Sequence, residues 1–247
     1  MNKKLQIALI GCGKMGKELE QVATGRGHTI IHKIDSANKH LLQSNEFSKA
    51  EVAIEFTQPE SAVGNIRSCF AANVPIVVGT TGWLEHLETI KNECAKGNHA
   101  LFYSSNFSVG VNLFFELNKK LASLMQGREE YTASMSEIHH IYKKDHPSGT
   151  GITLADGIIS GNSMYTKINA FLEGEKVSFE TNELPIECIR KEEVPGTHKV
   201  TWQSEIDRIQ ITHEAFNRKG FAIGAVLAAE WIYGKSGVFG MKDMLRI

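Results

Sequence analysis

Gln6-Ile-Ala-Leu-Ile10 runs directly into Gly11-Cys12-Gly13-Lys14-Met15-Gly16, and a helical pattern, Lys14–Ala23, follows at once. The apolar run reads as a strand. The loop is G-x-G-x-x-G in the strand–turn–helix setting that a dinucleotide fingerprint requires. Gly11 permits the tight turn, Gly13 lets the backbone approach a pyrophosphate, and Gly16 lets helix and strand pack closely. The exposed N–H groups and the dipole of the helix start favour phosphate charge. The next strand-like run, Thr29–Ile34, ends at Asp35, 19 residues after Gly16. A carboxylate there can bind both ribose hydroxyls of an adenosine and would repel a 2′-phosphate, which argues for NADH over NADPH. Lys33 and Lys39 are near enough in sequence to soften that preference. Three glycines alone can be only a tight turn; here position, flanking elements and Asp35 agree on a dinucleotide site.

Outward from this loop, the first hundred residues alternate between two kinds of segment. Short β-rich runs continue at Val52–Phe56, Pro75–Gly79 and Ala100–Tyr103, and helical patterns lie at Glu60–Ala72 and Leu84–Ala95, with a weak one at Lys39–Ser44. This order predicts a parallel sheet with helices on its faces. The runs are continuously apolar, as expected when both faces are covered. After Asn106 the texture changes. Val109–Met125 reads as an amphipathic helix with Leu113, Leu117, Leu121 and Leu124 at helical spacing. Strand-like runs then dominate: Tyr131–His140, Lys176–Glu180, Ile186–Glu192, Lys199–Ile206 and Arg208–Ala215, interrupted by a helix at about Thr150–Ser160. Alternation in the last run puts Ile209, Ile211 and His213 on one face, which fits an open sheet with one face exposed. An apolar helix, Phe221–Tyr233, and a short tail close the chain.

The expected fold class is α/β: a Rossmann-like dinucleotide-binding domain plus a smaller α+β domain with a mixed or antiparallel open sheet. The first domain is expected over 1–107 and 217–247, and the second, for substrate and oligomerisation, over 108–216.

Composition narrows the function classes. The 247 residues carry a net charge of −1, with 42% apolar and 22% charged residues, as in an ordinary globular protein. No global field attracts nucleic acid or an anionic membrane. No apolar run approaches the roughly 20 residues of a bilayer span, and the N-terminus lacks a signal-peptide pattern, so a cytoplasmic protein is expected. Cys12, Cys69, Cys94 and Cys188 are dispersed without a CxxC pair, which speaks against a disulfide scaffold or a structural zinc site.

The most informative segment is Glu137-Ile-His139-His140-Ile-Tyr-Lys143-Lys144-Asp145-His146-Pro147-Ser148-Gly149-Thr150-Gly151. Three histidines and two lysines fall between His139 and His146, just before a turn that opens a helix. Ser148 or Thr150 can cap that helix, and Gly149 lets backbone come close to a ligand. A cationic, proton-donating patch beside an anion-binding helix start suits a small carboxylate substrate and a proton-transfer step. The same residues could equally be a solvated basic strand end followed by a capped helix. No metal is expected, because adjacent histidines on a strand point to opposite faces and no HExxH spacing occurs. Gly79-Thr80-Thr81-Gly82 and Ser104-Ser105-Asn106-Phe107 follow the fourth and fifth strands at the sheet edge where ligands bind. Each serves equally well as a loop or as a ligand contact.

At these residues the chain resembles the dihydrodipicolinate reductase family. The hallmark E-x-H-H-x-x-K-x-D-x-P-S-G-T-A is matched from Glu137 to Thr150, with Gly151 in its last place. The resemblance extends to Glu55-Phe-Thr57-Gln-Pro59, to Gly79–Gly82, to Ser104–Asn112 and to Ile211-Thr-His213-Glu-Ala-Phe-Asn-Arg218, in family order along the whole chain. It implies reduction of the cyclic product of pyruvate and aspartate semialdehyde to tetrahydrodipicolinate, in diaminopimelate and lysine biosynthesis, by a homotetramer. It also implies His139 as the acid/base and Lys143 as the proton donor, with His140, Ser148, Gly149, Thr150 and Arg218 on the substrate. The cofactor, NADH in preference to NADPH, would contact Gly11, Cys12, Gly13, Lys14, Met15, Gly16, Asp35, Gly79, Thr80, Thr81, Ser104, Ser105, Asn106 and Phe107. Two departures bear on the cofactor: the glycine loop is one residue shorter than the family's, and Ser36 stands where the family often has an arginine. Both favour NADH. With cofactor and substrate held by different domains, closure would assemble the site.

Two rivals stand beside this reading. Another small NAD-dependent amino-acid or semialdehyde dehydrogenase explains the glycine loop but not the His139–Thr150 cluster. A non-catalytic NAD(P)-binding regulator would need a degraded cluster, whereas His139, His140 and Lys143 are all present.

Overall fold

The computed structural model describes residues 3–217 and 219–247. They divide into two compact units, one of Met1–Val109 with Lys219–Ile247 and one of Gly110–Arg218. The first unit is a six-stranded parallel sheet of β1 (Gln6–Ile10), β2 (Thr29–Ile34), β3 (Val52–Glu55), β4 (Ile76–Val78), β5 (Ala100–Tyr103) and β11 (Gly237–Phe239) in the order β11-β5-β4-β3-β1-β2. Its helices are α1 (Lys14–Gly25), α2 (Pro59–Ala71), α3 (Leu87–Lys96), α6 (Lys219–Ile232) and α7 (Met241–Leu245). The Lys39–Gln43 segment is a 3-10 helix.

The apolar run of β1 shows why both faces must be covered. Ile7 and Leu9 enter one layer with Leu19, Ala23, Ala225 and Ala229, whereas Ala8 and Ile10 enter the other with Ile66 and Phe70. A strand with period-2 side chains and helices on both sides has no face left for polar residues. The α6 sequence is rich in small residues, so it packs closely: a Cβ on Gly224 would lie 1.7 Å from the Phe107 carbonyl oxygen. The turn before β2 is fastened to α6 through His28, whose buried ring accepts from Leu5 N–H (3.1 Å) and contacts Glu230 (2.8 Å). His28→Ala strands the Leu5 amide and should cost about 1–3 kcal/mol. A urea titration checks this, and an unchanged midpoint would show the amide finds another partner.

The second unit is a five-stranded mixed sheet in the order β10-β9-β6-β8-β7. Its strands are β6 (Thr132–His139), β7 (Lys167–Leu172), β8 (Glu183–Arg190), β9 (Gly196–Gln203) and β10 (Arg208–Ala215). β9 pairs antiparallel with β6 and β10, while β8 pairs parallel with β6 and β7. Helices α4 (Val109–Leu124) and α5 (Gly149–Gly161) belong with it, and its core includes Met135, Ile186, Val200 and Trp202.

Three expectations are corrected. The strand expected at Lys176–Glu180 is irregular, and a strand not expected from the sequence, β7, forms earlier at Lys167–Leu172. The expected tail contains β11 and α7. The leucine stripe of α4 does not define its buried face: Leu113, Leu117 and Leu124 are 48–60% exposed, while Val111, Phe114, Asn118 and Ala122 are buried. The cause is close approach to α5, where Gly157 faces Asn118 and Gly161 faces Ala122. Asn118 then donates to the Leu154 carbonyl at 2.8 Å.

Candidate active site

In the first unit, Gly11 has φ +102°, and a Cβ there would lie 2.0 Å from the Phe56 carbonyl oxygen. A Cβ on Gly16 would lie 2.2 Å from the Gly11 carbonyl oxygen. Gly13, the residue before α1, has open space around its Cβ position. The two outer glycines are therefore demanded by the protein's own packing, and the middle one faces outward. Beside them Leu9, Gly11, Cys12, Gly16, Lys17, Glu20, Lys33 and Asp35 line a cavity of about 280 Å³. Asp35 accepts from Ala37 N–H (2.8 Å), and its own N–H donates to Asn38 (2.8 Å), so the turn fixes the carboxylate at the end of β2. Lys33 is paired with Glu20 at 3.0 Å, which offsets its charge beside the cavity. Lys14 is exposed and Met15 half-buried at the start of α1.

The loops after β3, β4 and β5 are tied together. Thr57 N–H donates to Thr80 Oγ1 at 2.7 Å, and Trp83 Nε1 donates to the Thr80 carbonyl at 2.9 Å. Glu55 is wholly buried beneath them and accepts from Thr57 Oγ1 and from Asn65. Burial pushes its carboxyl above the usual range, against hydrogen bonds from Thr57, Thr80 and Asn65. Gly79 packs on the Phe56 ring, where a Cβ would come within 2.1 Å. Ser104 Oγ donates to the Asn106 carbonyl (2.8 Å), and Asn106 Oδ1 accepts from Ser108 N–H (2.9 Å). Thr81 and Ser105 are exposed. Phe107 is 2% exposed and packs against Phe56 and Phe102, so its side chain is core rather than a ligand-facing group.

In the second unit, β6 ends at His139, and its alternation puts Glu137 and His139 on the buried face. His140 falls on the other phase, half-buried, with its Nδ1 buried and without a partner among the described residues. The chain turns next, Lys143 N–H donating to the His140 carbonyl (3.1 Å), and Lys143 Nζ reaches Asp145 at 2.7 Å. That hydrogen bond holds the Asp145 carboxyl below its ordinary range. Arg190, at the end of β8 opposite His139, donates to the carbonyls of Lys143 (3.2 Å) and Asp145 (2.8 Å). Arg190 thus pins the lysine loop, a role the sequence reading missed.

Glu137 is 1% exposed. It accepts from Ser148 N–H at 3.0 Å and from Ser148 Oγ at 2.6 Å. Burial works against its charge, but His198 and the Ser148 hydroxyl and amide outweigh it and hold the carboxyl at about 2. Ser148 caps α5 by accepting from Gly151 N–H (3.0 Å) and contacts His198 Nε2 (3.0 Å). Its hydroxyl is engaged inside the protein, and the residue is 4% exposed at the start of α5. Gly149 is exposed and Thr150 half-buried in the first turn of α5, where N–H groups and the helix dipole suit an anion. Arg218, the remaining substrate candidate, lies outside the described residues.

His139 Nδ1 lies 3.7 Å from Glu137 and is buried. Burial pushes its imidazole down, Glu137 opposes, and His198, Lys143 and Arg190 add to the fall, to about 4. Free His139 is therefore neutral above roughly pH 5, whereas an unperturbed histidine would charge near 6.5. We expect kcat/KM, which reports the free protein, to show no His139 limb between pH 6 and 8. A break near pH 6.5 that vanishes in His139→Gln would contradict this.

Among the described residues, Glu137, His139 and His198 place ligand-type atoms within 4.8 Å of one another. Both Glu137 oxygens accept from Ser148, while His139 Nδ1 has no hydrogen-bond partner among the described residues.

Comparison with known proteins agrees with this geometry. The family model described as dihydrodipicolinate reductase, N-terminus, matches residues 5–107, and that of the C-terminus matches 110–245. The chain belongs to the dihydrodipicolinate reductase family. A 4-hydroxy-tetrahydrodipicolinate reductase of Christiangramia forsetii is 48% identical over 98% of both chains. A Pelagibacter ubique reductase of the same name is 31% identical, again over 98% of both chains. Among solved structures, dipicolinate-bound dihydrodipicolinate reductase from Paenisporosarcina sp. TG-14 superposes with a TM-score of 0.77 at 20% identity, covering 98% of this chain and 99% of that one. It supports the reductase fold.

Proposed function

We infer that this chain is a 4-hydroxy-tetrahydrodipicolinate reductase, an NAD(P)H-dependent oxidoreductase of diaminopimelate and lysine biosynthesis. The observation that carries the reading is the Glu137–Thr150 cluster, which joins a buried histidine, a lysine and a helix N-terminus at the C-terminal end of β6, the central strand of the second sheet. The bound nicotinamide supplies the hydride. The protein's own residues bind, orient and move protons. The substrate's two carboxylates need fixed donors, which Lys143, His140 and the N–H groups at Gly149 and Thr150 offer. Hydride addition to the conjugated imine leaves an enamine-like anion that must gain a proton on carbon. Lys143 Nζ, held by Asp145, is the proton donor in this reading, and His139, neutral in the free protein, is the acid/base group that can take up a proton.

The cofactor is NADH in preference to NADPH. Asp35 stands at the end of β2, and the charge of Lys33 is engaged by Glu20. Asp35→Ala should weaken NADH about tenfold or more, as loss of a charge-assisted hydrogen bond does, while NADPH gains or holds. Parallel titrations of the two cofactors check this; an unchanged preference removes Asp35 from the ribose site. A homotetramer belongs to the reading through the family resemblance, and a cytoplasmic setting through the sequence pattern. Light scattering tests the first.

The whole assignment is tested by a coupled assay. The substrate is generated in place from pyruvate and aspartate semialdehyde by its synthase, and NADH and NADPH oxidation are followed. Oxidation that depends on substrate supports the function. Its absence, from folded protein that binds NADH, favours a different dehydrogenase.

A further inference from the structure

His198 has no part in the reading above, yet it is buried at the centre of the second sheet. In the ladder between β6 and β9 it stands directly opposite Glu137, and in the ladder between β9 and β10 opposite His213. It is 5% exposed, and its ring meets His139 edge-on with centroids 5.0 Å apart. Gly196, two residues earlier, leaves room for both rings: a Cβ there would lie 3.3 Å from His139 Nε2 and 3.9 Å from His198 Cε1.

Counting hydrogens fixes the direction of its polar contact. Ser148 Oγ has one proton and room to accept two. The ionised Glu137 can only accept, so the Ser148 proton goes to Glu137 Oε2 at 2.6 Å. Gly151 N–H takes one acceptor position on Oγ at 3.0 Å. The remaining contact, Ser148 Oγ to His198 Nε2 at 3.0 Å, is left with the ring as donor. His198 therefore carries its proton on Nε2.

We propose that His198 is a positioning residue for the reduction: its Nε2–H locks the Ser148 hydroxyl onto Glu137, which holds the carboxylate beneath His139 and the first turn of α5 in one arrangement. Ser148 is the joint between two parts of the substrate site, the acid/base histidine and the helix N-terminus. A hydroxyl free to rotate would loosen both. The inference rests on His139 acting as proposed above.

The test uses full-length protein in the coupled assay. His198→Phe keeps an aromatic ring against His139 but has no N–H, and His198→Gln restores an N–H donor at similar reach. The expected result is a fall in kcat on the order of tenfold to a hundredfold for the phenylalanine variant, unchanged KM for NADH, and recovery to within a few-fold of wild type by glutamine. Wild-type turnover in His198→Phe, with His139→Gln inactive in the same assay, overturns the inference and leaves the reading of His139 standing. Full activity in His139→Gln overturns that reading instead. Equal loss in the phenylalanine and glutamine variants also overturns the role of the N–H. Should the phenylalanine variant fail to fold, ring-nitrogen NMR of histidine-labelled wild-type protein decides, because His198 protonated on Nδ1 alone contradicts the proposal.

Discussion

Replacing Lys143 by alanine should lower kcat about a hundred- to ten-thousand-fold, the range for loss of a positioned proton donor, with little change in NADH affinity. The lysine side chain is 18% exposed and its ammonium is already oriented, bridged to Asp145 at 2.7 Å, with Arg190 holding the carbonyls of Lys143 and Asp145. Such pre-organisation means little rearrangement is needed when the carbanion-like carbon forms. It also means that Asp145 competes with the substrate's carboxylates for the same ammonium. Single-turnover measurement separates the two roles of the lysine. If it only binds a carboxylate, KM for the substrate rises and kcat holds; if it gives the proton, kcat falls at saturation. A collapse of NADH affinity instead would mean that the lysine serves the cofactor.

The first half of the fold was legible because its signals are local. The β1 run, the glycines and the helix after them sit within a dozen residues, and burial on both faces gives continuous apolar runs. The second half depends on neighbours. The alternation of Lys176–Glu180 is real, but β7 and β8 run parallel in register Lys167↔Glu183, so the intervening chain must carry the backbone back along the length of a strand. Phe179 in that return is 45% exposed and rests on Phe171. Likewise the leucines of α4 lose the core to Phe114, Asn118 and Ala122 because α5 presents glycines on that side.

The candidate site divides in the same way. His139, Lys143 and the α5 N-terminus stand in one segment and could be read together. Glu137 and Asp145 stood in the same segment without a role, since only the folded chain shows what they touch. Arg190 and His198 come from other strands and arrive through sheet register. One signal for His198 was present in the sequence: it alternates in phase with Val200 and Trp202, a histidine on the core face of a strand.

Substituting the glycines of the first loop separates architecture from binding. Gly11→Ala should cost several kcal/mol and abolish cofactor use together, since the residue is held at φ +102° and its Cβ would meet the Phe56 carbonyl oxygen at 2.0 Å. A side chain at such a φ costs about 1–3 kcal/mol before the clash is counted. Relief requires moving the backbone at Phe56 and Thr57, and Thr57 N–H is bonded to Thr80 in the next loop. At roughly 2–4 °C per kcal/mol for a chain of this size, the thermal midpoint should fall by about 6 °C or more. Gly13→Ala should behave differently. Its φ of −72° accepts any residue, and its Cβ position meets nothing within 4 Å, so the midpoint should hold. The added methyl nevertheless occupies the space a pyrophosphate would need, and NADH affinity should drop on the order of tenfold to a hundredfold. Thermal melts and NADH titrations on the two variants read this contrast. Equal loss of stability in both would show the loop to be a turn and nothing more, whereas loss of affinity alone at Gly13 marks the place where the backbone meets the phosphates.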